Sequence, residues 1–232
     1  IENLSRVFSL DSVTFRYSSN NPAVIKNFTA NIYKGETVCF LGRNGTGKST
    51  LARLLIGDYK PESGSIYCAL SKVAIVPQNI VIYNDSLLEN IRLQDENIQP
   101  VIVEQMLCEC GFEKFLQAQP NGIYTNLSPG ALSGGELQII GIIRALVRNS
   151  EILILDEITN NLDIVAKEAI YSILKKLKGK CTIVIITHDI SCLEISDRVF
   201  VFKKDYISEI CDSNAVSRKI KALETIRKEV LL

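Results

Sequence analysis

The chain has little of what would mark a secreted, membrane-spanning or zinc-bound protein. No uncharged apolar run approaches the ~18–20 residues needed to cross a bilayer. The best candidates, "TIVIITH" and "EILILDE", are short enough to be buried strands. The opening "IENLSRVFSL" has neither the basic flank nor the apolar stretch of a secretory signal. Methionine occurs once, at Met106, so a trimmed product or a piece of a longer chain is expected. The 7 cysteines are odd in number and include no C-x-x-C, which argues against a disulfide framework and for a reducing compartment. Cys108 and Cys110, with a lone histidine far along the chain, do not make a zinc site. Lys plus Arg (26) equals Asp plus Glu (26), so there is no basic excess to support nucleic-acid binding by the whole surface.

What is present is a globular composition. The 232 residues are 47% hydrophobic and 22% charged, enough to bury a full core. "VFSLDSVTFRY" and "NFTANIY" alternate as half-buried antiparallel strands do. "ETVCFLG", "SGSIYC" and "KVAIVPQ" read as further strands, and Cys39 within the first of these acts as a small apolar residue. From 83 to about 148 the spacing turns helical, and strands return as "EILILDE" and "CTIVIITHD" around the amphipathic "DIVAKEAIYSILKKLKG". "RVFVFKKDYISEI" suggests a last hairpin, and apolar residues of the tail fall on one face of a helix over about 213–232. The expected fold is therefore α/β with a mainly parallel sheet. The core spans about 1–82 and 149–211, with a helical subdomain inserted at about 83–148, all within one domain.

"GRNGTGKST" carries the first chemistry. Gly42 to Ser49 fit G-x-x-x-x-G-K-S/T between a strand and a helix, the P-loop that cradles a polyphosphate with backbone N–H groups and a helix N-terminus. Asn44, Gly45, Thr46, Gly47, Lys48, Ser49 and Thr50 are thus nucleotide-contact candidates. Lys48 reaches the outer phosphates and Ser49 can ligate Mg²⁺.

"ILILDE" ends a strand in Asp156 and Glu157, adjacent acids that repel unless a cation or a task separates them. Asp156 suits the shell of Mg²⁺, and Glu157 suits polarisation of an attacking water. A solvated strand end is the bland alternative, outweighed by the P-loop in the same chain. His188, the only histidine, follows a strand at the edge where open α/β sheets bind ligands, which favours γ-phosphate or water contact over a structural role. Gln78 offers a neutral amide to metal or water at another strand end. Tyr17 presents a ring that a base could stack on, although aromatics on such strands ordinarily belong to the core. "LSGGE" places Ser133 as a helix N-cap, with Gly134 and Gly135 behind it. These residues suit either an added phosphate contact or simply a capped helix with a tight entry, and the residues alone leave both open.

Taken in order, the P-loop, Gln78, "LSGGE", "ILILDE", "NNLD" and His188 resemble the ATP-binding-cassette (ABC) nucleotide-binding domain over nearly the whole chain. The resemblance implies a P-loop NTPase (RecA-like) core, an N-terminal antiparallel β subdomain and the inserted helical subdomain. It implies an ATPase using ATP and Mg²⁺, with Ser49, Gln78 and Asp156 at the metal and Lys48, Glu157 and His188 in catalysis. It further implies Tyr17 as adenine platform, Gln78 as a switch toward a membrane domain, and Ser133, Gly134, Gly135 and Asp163 as contacts across a head-to-tail pair of cassettes. "PQNIVIYNDSLLENI" is similar to the exporter branch, whose cassettes usually follow a fused membrane domain at the cytoplasmic face. No nucleic-acid partner is then expected. A soluble ABC ATPase acting on ribosomes or nucleic acid is the rival, but a second cassette or long coiled-coil insertion is missing. The chain departs from the family at Ile139, where a basic residue is usual. It departs also at Asn160 and Asn161, where small residues are common, and in the acid-free "TNLSPGA". These departures bear on coupling and turnover more than on ATP binding.

Overall fold

The structure is a computed structural model that describes residues 5–204 and 206–210. The expected C-terminal helix and Cys211 lie outside the described residues. In chain order the first elements are β1 (Arg6–Phe15), β2 (Ile25–Tyr33), β3 (Thr37–Gly42), α1 (Lys48–Leu55), β4 (Ser63–Cys68) and β5 (Val73–Val76). Next come β6 (Asp85–Ser86), α2 (Leu87–Arg92), α3 (Pro100–Glu109), α4 (Glu113–Ala118), β7 (Asn126–Leu127) and α5 (Gly134–Leu146). The last are β8 (Ile152–Asp156), α6 (Ile164–Leu177), β9 (Thr182–Thr187), β10 (Arg198–Phe202) and β11 (Ile207–Ile210). They form two compact units, one from the described parts of 1–75, 151–157 and 177–232, the other from 76–150 and 158–176.

The first unit carries a six-stranded sheet in the order β11-β10-β3-β9-β8-β5. Strands β10, β3, β9 and β8 run parallel, and β11 closes one edge antiparallel to β10. Every residue of β3 and β9 is buried, which is why these segments read as unbroken apolar runs: a parallel sheet is covered on both faces. A separate antiparallel sheet, β2-β1-β4, alternates buried and exposed residues along β2 and is broken by bulges in β1. The two sheets share one core. Phe28 of β2 meets Phe200 of β10 edge to face at 5.6 Å, and Phe200 in turn meets Phe40 of β3 at 5.8 Å.

The second unit is built on α5, whose Ile140, Ile142 and Ile143 are wholly buried. Arg144 of α5 and Arg148, just beyond its end, donate to the carbonyls of Asn90, Ile91 and Arg92, satisfying the last turn of α2 where Leu93 turns left-handed. The two-residue strands β6 and β7 pair antiparallel here and were hidden from the sequence because two residues show no period. The α/β class, the largely parallel sheet and the N-terminal antiparallel sheet agree with the expectation. Among the described residues no helix is long and apolar enough to cross a membrane.

Phe200 is 2% exposed and joins both sheets through ring contacts. Phe200→Ala should therefore cost about 3–5 kcal/mol, read as a lower urea midpoint in an unfolding titration.

Candidate active site

Strand β3 runs out at Gly42, and the chain turns back through residues 43–47 to start α1 at Lys48. Gly47 makes the entry possible. Its φ is 99°, and a Cβ there would lie 2.8 Å from Val24 Cγ1, so both backbone and space require glycine. No side chain caps α1, which leaves its first N–H groups for an anion. The carbonyl of Arg43 organises the loop by accepting from Thr46 Oγ1 and Lys48 Nζ, each at 2.8 Å. Asn44 and Gly45 are exposed at the loop tip.

Lys48 is buried, and its ammonium also sits 3.3 Å from Glu157 Oε1. The other oxygen of Glu157 is 3.0 Å from His188 Nδ1. Glu157 follows β8 with φ 56°, a left-handed conformation that costs a non-glycine residue, and its N–H donates to Ile186 O of β9 at 2.8 Å. That turn separates the two adjacent acids. Asp156 faces Ser49, whose hydroxyl donates to Oδ1 at 2.9 Å, while Glu157 faces Lys48 and His188. Burial pushes the Asp156 carboxyl above its ordinary pKa, the Ser49 hydrogen bond opposes this, and the charge of Glu157 adds to the rise. Tyr17 lies just past β1, is 56% exposed and shares a 2.7 Å hydrogen bond with the Thr50 hydroxyl. The first unit thus gathers Tyr17, the P-loop residues, Asp156, Glu157 and His188.

Gln78, Ser133, Gly134, Gly135 and Asp163 belong to the second unit. Ser133 caps α5 in a full capping box: its Oγ accepts from Glu136 N–H, and its own N–H donates to Glu136 Oε2 at 2.7 Å. Both glycines press against the entry to α6. A Cβ on Gly134 would meet Leu162 at 3.0 Å, and one on Gly135 would meet the Ala166 Cβ at 2.7 Å. Asp163 Oδ1 accepts from Ala166 N–H at 2.8 Å, so this acid opens α6 beside the Ser-Gly turn. Packing therefore accounts for Gly135, and Ser133 and Gly134 are exposed where an anion could meet them.

Sequence reasoning passed over Gln138, a buried amide on α5 whose Nε2 donates to the Gln78 carbonyl. A lone polar residue in "LQIIGII" was the available signal. Ile139 is buried beside it, so the apolar residue suits its surroundings. Asn161 has φ 58°, where asparagine is among the most tolerant side chains.

A sequence profile of the family described as ABC transporter matches residues 25–160, more than half of the chain. This chain belongs to the ABC transporter family. The ABC domain is 33% identical over 224 residues to an ATP-dependent lipid A-core flippase of Pasteurella multocida (strain Pm70), covering 90% of this chain and 38% of that protein. It is 34% identical over 215 residues to the alpha-hemolysin translocation ATP-binding protein HlyB of Proteus vulgaris, covering 87% of this chain and 30% of that protein. Among solved structures it is similar to a bacterial Atm1-family ABC exporter with ATP bound, at TM-score 0.80 and 26% identity, over 98% of this chain and 40% of that one. The chain thus spans well under half the length of these relatives. As a member of this family, it is an ATP-binding domain and an ATPase.

Within the ABC domain, Gly135→Ala forces a methyl group onto Ala166. It should destabilise the second unit by about 1–3 kcal/mol, seen as earlier loss of helical circular dichroism on heating, and Ala166→Gly should relieve part of the loss.

Proposed function

We propose that this domain hydrolyses ATP as one half of a head-to-tail pair, driving export by a membrane domain that precedes it in the full-length protein. The observation that best supports the reading is the placement of Glu157, with one oxygen 3.3 Å from Lys48 Nζ and the other 3.0 Å from His188 Nδ1 beside the P-loop. An arriving phosphate competes for Lys48 and frees a carboxylate to take a proton from water, while His188 holds that carboxylate and faces the developing charge. Asn44 to Thr50 wrap the phosphates, and Tyr17 offers its ring to adenine.

Ser49, Asp156 and Gln78 supply the hard oxygen donors that Mg²⁺ prefers. The fit rests on Ser49 and Asp156: the Ser49 hydroxyl donates at 2.9 Å to the Asp156 carboxylate, which burial has made reluctant to ionise alone. When bound with the nucleotide, the ion supplies charge neutralisation at the outer phosphates.

Ser133, Gly134, Gly135 and Asp163 are assigned to the nucleotide held by the partner cassette. The capping box uses a lone pair of the Ser133 hydroxyl and leaves its proton for phosphate. Gln78, tethered through its carbonyl to Gln138, is assigned to sensing the membrane domain as well as the metal. The pair would lie at the cytoplasmic face of a membrane, without nucleic acid. Relatives named for lipid A-core and for alpha-hemolysin are nearly equally similar, which supports a cargo chosen outside this domain.

Glu157→Gln should lower phosphate release from ATP at least ~100-fold, while ATP still drives pairing seen by light scattering on a sizing column. Near-normal release would remove Glu157 from its role. A chain that stays monomeric with saturating ATP in that variant would sink the paired arrangement.

A further inference from the structure

Tyr17 has no strand to hold it. It lies beyond the last residue of β1, and the residue is more than half exposed. Three groups fix that ring. One is the Thr50 hydroxyl at 2.7 Å, the second is Phe15, and the third is Tyr59. Phe15 and Tyr59 stack on each other at 5.2 Å with their planes 15° apart. Tyr17 stands perpendicular to both, 5.2 Å from Phe15 at 83° and 5.8 Å from Tyr59 at 87°. Edge-to-face contacts of this kind are directional, so the stacked pair sets the tilt of Tyr17 as well as its place. Tyr59 is itself held from α1. Its N–H reaches Arg53 O at 3.4 Å, and the Arg53 guanidinium lies 5.8 Å from its ring centroid.

We infer that Tyr59 is a positioning residue for the base of the nucleotide: it holds the Tyr17 ring at the angle adenine stacks on, through the P-loop helix that grips the phosphates. The inference rests on the reading of Tyr17 as adenine platform. It separates two parts of ATP binding. The triphosphate is held by residues 44–50, a loop organised by the Arg43 carbonyl, whereas the base depends on an aromatic whose tilt depends on Tyr59.

The test compares adenylyl-imidodiphosphate with inorganic tripolyphosphate as calorimetric ligands. Tyr59→Ala should weaken the nucleotide about 3- to 10-fold, the range of one lost aromatic contact, and leave tripolyphosphate within about two-fold. In steady-state hydrolysis the same variant should raise KM for ATP with kcat unchanged. Tyr59→Phe keeps the ring and should restore wild-type affinity, and Tyr59→Leu keeps bulk without aromatic geometry should Ala fail to fold. A Leu variant that binds both ligands as the wild type does, or an Ala variant that weakens both equally, overturns the inference. Tyr17→Ala distinguishes the two readings. If it weakens the nucleotide alone while Tyr59 variants do nothing, only the role of Tyr59 fails. If it weakens neither ligand, the adenine platform itself has failed and the role of Tyr59 falls with it.

Discussion

A lysine buried to 4% exposure must be paired, and the pairing of Lys48 with Glu157 orders the centre of this molecule. Lys48 opens the helix that follows β3, Glu157 follows β8, and His188 follows β9, which lies between those two strands in the sheet. Charge that cannot be left alone in the interior thereby fixes where three strand ends meet. The Arg43 carbonyl at 2.8 Å and Glu157 at 3.3 Å hold the ammonium inside the loop.

The second unit shows the same economy in another form. The Ser-Gly turn is shaped by packing, with Gly135 pressed on Ala166 and Ser133 closed into a capping box with Glu136. Asp163 precedes the neighbouring helix and accepts from its Ala166 N–H. The residues assigned to a partner's nucleotide are thus neighbours because two helix starts pack together. Glu136 spends the Ser133 N–H on its own carboxylate, which leaves the hydroxyl and the glycine amides as the donors for any anion.

Legibility followed sequence distance. The P-loop could be read because strand, glycine turn and helix lie within about a dozen residues and each leaves a local pattern, as the unbroken apolar runs of β3 and β9 do. Asp156 and Glu157 could be read as a pair, but not that a left-handed turn at Glu157 sends them to different partners. Nothing local announces that Lys48 meets Glu157, that Gln138 holds the Gln78 carbonyl, or that Tyr59 braces Tyr17. Those contacts join residues dozens of positions apart, and only the folded sheet and helices bring them together. Asn161 looked out of pattern because its backbone angle, which asparagine suits, has no trace in composition.

The order of strands in the parallel sheet has a consequence for biosynthesis. β1, β2 and β4 lie within the first 68 residues and can pair soon after leaving the ribosome. β3 sits between β10 and β9, which begin only at Arg198 and Thr182. A nascent chain halted earlier therefore carries this wholly buried strand without either neighbour, a natural client for chaperones until the last quarter of the domain emerges.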